Sequence, residues 1–398
     1  MNRRKVGFIW DGNYPWDIRV EKICLSLIES GHEVHLVCRN TRFEARKERC
    51  SGIHIHRLPA IRPHGLNSLL NFPFFFNPIW YANIKRIFNR VPIDIAIVRD
   101  ITLSLTTLWA AQERQIPVIL DMAEPYPEMI RAQLEFGDLS GLQRLIRRPE
   151  LAHWVEKKTL RGVKKVFAMV EESQRRICSM GVPDDKVIIV SNTPDLRKFK
   201  AVQKSYPGIM AHLKSKTIFL YVGFIDFYRG VQVAVEGFQS VVKKHPDSVL
   251  VVIGSGGATT HVKALATSLG LSEHVYFEGY QEHFLIPEYI SACDVGVITH
   301  FACGLWNNTI PNKLFDYMAM NKPVLSSDAS PVKRILEEEK CGMTYDSKST
   351  VDFAKAASRL TDPTLRAFLG ANGRSAIERR YNWDWEAKEI QRQMQILG

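Results

Sequence analysis

Short runs of consecutive apolar residues alternate along the chain with stretches in which apolar positions recur every three or four residues, the signature of strands and helices in turn. Val6-Gly7-Phe8-Ile9-Trp10 predicts a buried strand that opens at Lys5, followed by a polar loop, Asp11 to Asp17. Val20, Ile23, Cys24, Leu27 and Ile28 then share one helix face, with Asp17 as its cap, and Gly31 ends the helix before the strand Val34–Cys38. Further strands are expected at Ile93–Val98, Pro117–Leu120, Val166–Val170 and Val187–Val190. The polar, basic run Lys198–Lys216 reads as a linker, after which the rhythm restarts with Thr217–Phe224, Ser248–Ile253 and Val275–Glu278. Strands alternating with helices predict parallel sheets, hence two doubly wound, Rossmann-like α/β domains over residues 1–197 and 198–375, with a C-terminal tail at 376–398.

Composition changes this picture little. Apolar residues at 45% and charged residues at 24% of 398 describe a globular chain. Seven scattered cysteines, with no CxxC pair, predict buried reduced thiols and a cytoplasmic location. Met1 to Lys5 lead straight into a strand, so no secretory leader is expected. The net charge of +11 implies a polyanionic partner. No nucleic-acid module is recognisable, and the basic residues gather beside apolar material, which favours an anionic membrane surface over nucleic acid. Gly65–Ile84 carries six aromatic residues and no formal charge. Its prolines and asparagines could not be satisfied in hydrocarbon, so it does not span a bilayer, and it is either aromatic core or an interfacial insertion. The basic stretch Arg144–Lys165 is either a solvated helix face or a second contact with anionic lipid, which would place the protein peripherally on the inner membrane face.

Candidate chemistry concentrates at predicted strand ends, where ligands bind in doubly wound sheets. Pro311 should start a helix whose N-terminus, reached through Asn308, Thr309, Ile310 and Asn312, attracts an anion; Lys313 adds a charge, and Asp316 suits a ribose hydroxyl pair. The grouping fits a nucleoside diphosphate. Asp100 and Glu124, at the ends of two other strands, could take the proton of an acceptor hydroxyl. Gly12, Asn13, Asp17 and Arg19 follow the first strand, whose loop lacks the GxGxxG of a dinucleotide site.

The segment Asn308–Ala319 with Pro323-Val324 resembles the donor-site signature of family 4 glycosyltransferases, two glutamates eight positions apart leading into an "FEYMA-x-G-x-PV" run. Asn308 and Asp316 stand in the two glutamate positions. Asp17-Ile18-Arg19-Val20 with Gly31–Val34 resembles the family's opening, and Asn192, Asp195 and Phe199 its hinge. Gly223, Arg229, Gly254 and Tyr280 fall where the family grips the diphosphate and sets the nucleobase, whereas Phe224 and Ala123 replace a cation and a histidine. The resemblance implies two domains facing across a cleft, the GT-B arrangement, with the tail crossing back to the first domain. It further implies sugar transfer from a nucleotide-diphosphate donor to an acceptor hydroxyl with retention, and neither metal nor cofactor. Arg229 and Lys313 would then stabilise the leaving group, Asp316 the ribose, and Asn308 with the Thr309 and Ile310 amides the sugar and diphosphate. Gly12, Asn13, Asp17, Arg19, Asp100 and Glu124 would face the acceptor, a lipid-linked sugar or polysaccharide. The three departures keep open a non-catalytic binding or scaffold subunit; a nucleotide-sugar epimerase on the same fold is the remaining alternative.

Overall fold

The computed structural model describes the chain except residues 1–2, 16, 64, 68–71, 73–74, 138–140, 142–143, 145–146, 198–204 and 398. Trp16, parts of the aromatic segment, Phe199 and the first seven residues of the expected linker therefore lie outside the described residues. Two compact units emerge: residues 1–127, 148–192 and 384–398, and residues 128–147 and 193–383.

The first unit is built on an eight-stranded sheet of β1 (Lys5–Asn13), β2 (Glu33–Arg39), β3 (Lys47–Cys50), β4 (Ile53–Arg57), β5 (Ile95–Arg99), β6 (Val118–Met122), β7 (Lys165–Ala168) and β8 (Val187–Ile189). Their order is β3-β4-β2-β1-β5-β6-β7-β8, and every pair is parallel except the β3–β4 hairpin. Phe8 lies opposite Leu36 on one side and Ile97 on the other, and all three are fully buried, as apolar runs in a sheet covered on both faces must be. The order reverses between β1 and β5, so the crevice for a ligand opens where those two strands end. β1 runs three residues further than its apolar core predicts, into Asn13, across an irregularity in its register with β2. The helix Ile18–Glu29 begins as expected, with Asp17 accepting the Val20 amide at 2.9 Å.

The second unit carries six parallel strands, β9 (Thr217–Val222), β10 (Ser248–Ile253), β11 (Val275–Gly279), β12 (Val295–Ile298), β13 (Val324–Ser327) and β14 (Gly342–Tyr345), in the order β11-β10-β9-β12-β13-β14. Its reversal lies between β9 and β12, at the ends leading to Gly223 and Thr299. The helix expected from Pro311 begins instead at Lys313, with Asn312 in the cap position and Pro311 ahead of it, and lasts seven residues to Ala319. Residues 128–147 group with this unit because Ala132 packs with Tyr228, Leu305, Trp306 and Ala329, and Phe136 stacks on Phe301 at 4.6 Å. The final helix, Trp383–Ile396, is tied to the first unit where the Ser191 amide donates to Glu386 at 3.0 Å.

Candidate active site

In the second unit the site is assembled from three glycine turns and two cations. The Gly223 amide donates to the Ile253 carbonyl at 2.9 Å, and the Gly254 amide to the Gly279 carbonyl at 2.7 Å, so the ends of β9, β10 and β11 are laced together. Gly254 has φ +128°, and a Cβ there would lie 1.9 Å from the Gly223 oxygen; only glycine lets these backbones meet. Beyond β9 a short 3-10 turn, Phe227–Arg229, places the Arg229 side chain over the rings of Trp306 and Tyr228, each 5.2 Å away, and Phe224, 5.5 Å away. Arg229 also donates to the Tyr228 hydroxyl at 3.3 Å, faces Asp226 at 3.6 Å, and meets His300 Nε2 at 3.5 Å. A guanidinium can only donate, so Nε2 presents its lone pair and the proton sits on Nδ1, a buried atom without a hydrogen-bond partner. Burial first, then Lys313 and Arg229, hold His300 neutral, well below the usual imidazole range.

Lys313 is the most informative group here. Its Nζ is shielded from solvent, has no hydrogen-bond partner, and lies 3.9 Å from the centre of the Tyr221 ring. Burial, and secondarily Arg229, push its pKa well below that of an ordinary lysine, against the opposing pull of Asp316. A shielded ammonium set on a π-face, beside a second cation and with Asp316 as its counter-charge, is electrostatically suited to an anion. Asp316 sits in the first turn of the same helix. Tyr280 and Phe224, 70% and 65% exposed, stand at the ends of β11 and β9 with their rings open to solvent.

Several expected roles change. The Asn308 amide donates to the Leu305 carbonyl at 3.0 Å and its side-chain amide to the Gly304 carbonyl at 2.8 Å, so it braces the turn and its N–H is not aimed at a ligand. Thr309 and Ile310 are buried, whereas Asn312 is exposed. A seven-residue helix carries a small dipole, which leaves Arg229 and Lys313 as the main positive charge.

In the first unit, Arg99 at the end of β5 lies 3.5 Å from Asp17, 3.8 Å from Asp100 and 3.5 Å from Asp121. Burial opposes its charge, but those three carboxylates and Glu124 hold it more firmly protonated than usual. Asp100, at φ +57°, accepts the amides of Ala123 at 2.9 Å and Glu124 at 3.3 Å through one oxygen, leaving the other toward Arg99. Burial raises its carboxyl to about 7, with Glu124, Asp121 and Asp11 adding to the rise and Arg99 opposing it. Asp11 is raised too, chiefly by burial, and accepts from the Thr102 hydroxyl at 2.8 Å. Glu124 is half-buried beside this cluster.

Arg19, expected to face the acceptor, is 1% exposed. Its guanidinium grips Asp121 through Nε at 3.0 Å and Nη2 at 2.5 Å, and donates to the Ser191 carbonyl at 3.1 Å. It therefore holds β6 in place. Asn13 is likewise spent, exchanging hydrogen bonds with Thr41 at 2.7 and 2.8 Å. Gly12 is required because a Cβ would lie 2.3 Å from the Trp10 ring.

Residues 203–376 match the family "Glycosyl transferases group 1" and residues 17–193 the "Glycosyl transferase 4-like domain". The chain belongs to the family 4 glycosyltransferases. Among relatives of this glycosyltransferase, the alpha-D-kanosaminyltransferase of Streptomyces kanamyceticus is 26% identical over 173 residues, 43% of each chain. The matched stretches span under half the length of the first curated relatives, 43%, 48% and 41%. Solved structures match the fold over nearly all of the glycosyltransferase. The sucrose-phosphate synthase of Thermosynechococcus elongatus has a TM-score of 0.77 at 19% identity, covering 99% of both chains. Anabaena HepE, in complex with UDP and glucose, has a TM-score of 0.77 at 14% identity, covering 99% of this chain and 100% of its own. The fold class expected from sequence, two Rossmann-like domains of the GT-B type, is the one found. Among the residues of the candidate site, His300 and Trp306 are not singled out by the sequence, whereas Arg99 and Asp11 lie in expected cleft-facing segments without a role of their own. The signal available was position: Arg99 ends a strand, and Asp11 and His300 lie just past the apolar cores of two others.

Proposed function

We propose that the second unit holds a nucleoside-diphosphate sugar and that the protein transfers the sugar, with retention, to an acceptor hydroxyl handled by the carboxylates of the first unit. The observation that carries this reading is the shielded, unpartnered Lys313 ammonium beside Arg229. A diphosphate entering there gains two charge-assisted contacts, and these strengthen as negative charge develops on it when the bond to the sugar C1 breaks. Those contacts favour the leaving group without proton transfer to it. Asp316 would hold the ribose, Tyr280 and Phe224 offer faces for the base, and Gly223 and Gly254 let backbone approach the phosphates. The acceptor oxygen bonds to C1 and yields its proton to a carboxylate, for which Asp100, raised to about 7, and Glu124 are suited. The HepE complex with UDP makes UDP the first nucleotide to test.

Among the described residues no helix is long and apolar enough to cross a membrane. We place the protein in the cytoplasm, peripheral to the inner membrane face, acting on a lipid-linked sugar or polysaccharide. The test is release of nucleoside diphosphate from UDP-, GDP- and ADP-sugars, with and without membrane extracts as acceptor. Faster release with extract, and glycosylated lipid or glycan as product, support transfer. A new sugar formed without acceptor would indicate an epimerase, and no turnover under any condition a binding subunit.

A further inference from the structure

The aromatic segment before residue 84 and the basic stretch after residue 144 lie far apart in sequence, yet the helix Ser104–Gln112 joins them into one surface of the first unit. Trp109 on that helix meets Phe76 edge to face, with ring centres 4.8 Å apart. Trp109 and Leu108 also line a groove of about 820 Å³ together with Trp154 and Lys158 of the helix Pro149–Gly162. Trp109 is 45% and Trp154 52% exposed, unusual for indoles outside an interface. Gly162 packs against Leu108 where the two helices close together.

Charge decides what covers this face. Lys157, Lys158, Arg161 and Lys164 are all exposed, and among the described residues none has a carboxylate within ion-pair distance. Lys158 lies 6.0 Å over the Trp154 ring. The acids nearby are otherwise engaged or few: Glu156 is buried against Arg176, Glu113 pairs with Lys85 at 2.6 Å, and Glu150 stands in the first turn of the basic helix. Indoles set among unpaired lysines are the composition that seats at the headgroup level of an anionic bilayer, with the rings in the interface and the ammonium groups on phosphates.

We propose that this face, centred on Trp109 and Trp154 and ringed by Lys157, Lys158, Arg161 and Lys164, docks the protein on an anionic phospholipid surface. The proposal rests on the reading of a membrane-borne acceptor and names the surface that brings the enzyme to it.

The test is flotation of the full-length protein with vesicles of phosphatidylcholine plus phosphatidylglycerol, against pure phosphatidylcholine. Two variants are compared, Trp109→Ala/Trp154→Ala and Lys157→Gln/Lys158→Gln/Arg161→Gln/Lys164→Gln. The wild type should bind the mixed vesicles, release in high salt, and show blue-shifted tryptophan emission. Each charge removed should lower partitioning about fivefold, so the quadruple variant falls several hundredfold, and the indole pair roughly tenfold or more. Both variants should keep the wild-type melting shift with UDP, which separates loss of docking from loss of fold or donor site. Equal binding by wild type and variants, or no binding by the wild type, overturns the proposal. So does an emission shift with soluble oligosaccharide but not with vesicles, which would make the groove a glycan subsite. Donor hydrolysis by a non-docking variant would leave the proposed transferase activity standing on its own.

Discussion

Replacing Lys313 with Met should strengthen the empty protein and weaken its grip on a diphosphate, two effects of opposite sign from one substitution. The wild-type Nζ is shielded, lacks a hydrogen-bond partner and faces Arg229, so without ligand it bears an uncompensated desolvation cost. Methionine fills a similar volume without the charge, and relief of an unsatisfied buried polar group is worth about 1–3 kcal/mol. For a unit of this size that raises the melting temperature by roughly 2–4 °C per kcal/mol. The sign with pH follows from the depressed lysine pKa. The penalty is full while the lysine must be charged in the fold, and it fades as pH climbs toward the usual lysine value of 10.5, where releasing the proton costs little. The variant's advantage should therefore be largest at neutral pH and shrink in alkali. With ligand the account reverses: a lost charge-assisted contact of about 1.5–3 kcal/mol weakens UDP roughly 10- to 150-fold. Calorimetric melting without ligand and titration with UDP measure both. A variant that melts below the wild type and binds UDP equally well would refute the reasoning.

Three further outcomes follow from the geometry. Arg19→Met leaves Asp121 fully buried opposite a thioether, and urea unfolding should show a loss of about 3–5 kcal/mol with no selective effect on nucleotide binding. Asp100 has a raised pKa, so its contribution to stability is present at low pH and is lost as pH rises from about 4 to about 7; Asp100→Asn, which keeps the acceptor oxygen and tolerates φ +57°, should flatten that slope in melting profiles. Gly254→Ala forces a Cβ against the Gly223 carbonyl at φ +128°, and should weaken UDP by more than about tenfold, since backbone strain of this kind costs roughly 1–3 kcal/mol before any clash is counted.

Much of the fold was legible because parallel strands buried on both faces are continuous apolar runs, as Val6–Trp10 and Val249–Ile253 show. The β3–β4 hairpin was not, because its edge strand, Lys47-Glu48-Arg49-Cys50, is largely charged and exposed and carries no apolar pattern. The candidate donor site was legible as a cluster where charge coincides with a motif, at Arg229, Lys313 and the glycine turns, which the structure brings together in the second unit. It was misread where a distant partner decides the role. Arg19 looks like a solvent-facing residue in a first helical turn until Asp121, 102 positions away, is placed beside it. Asn308 looks like a ligand contact until the turn from Gly304 closes on it. Residues 128–147 pack with the second unit through Ala132 and Phe136, whose partners lie more than 90 residues downstream, beyond what local periodicity can encode.

The central claim is that Arg229, Lys313 and the glycine turns form a working diphosphate site, and calorimetric titration of the purified protein with UDP, GDP and ADP tests it most directly. Selective binding of one of these, weakened in the Lys313→Met variant, is the predicted result. A folded protein that binds none of the three would contradict it.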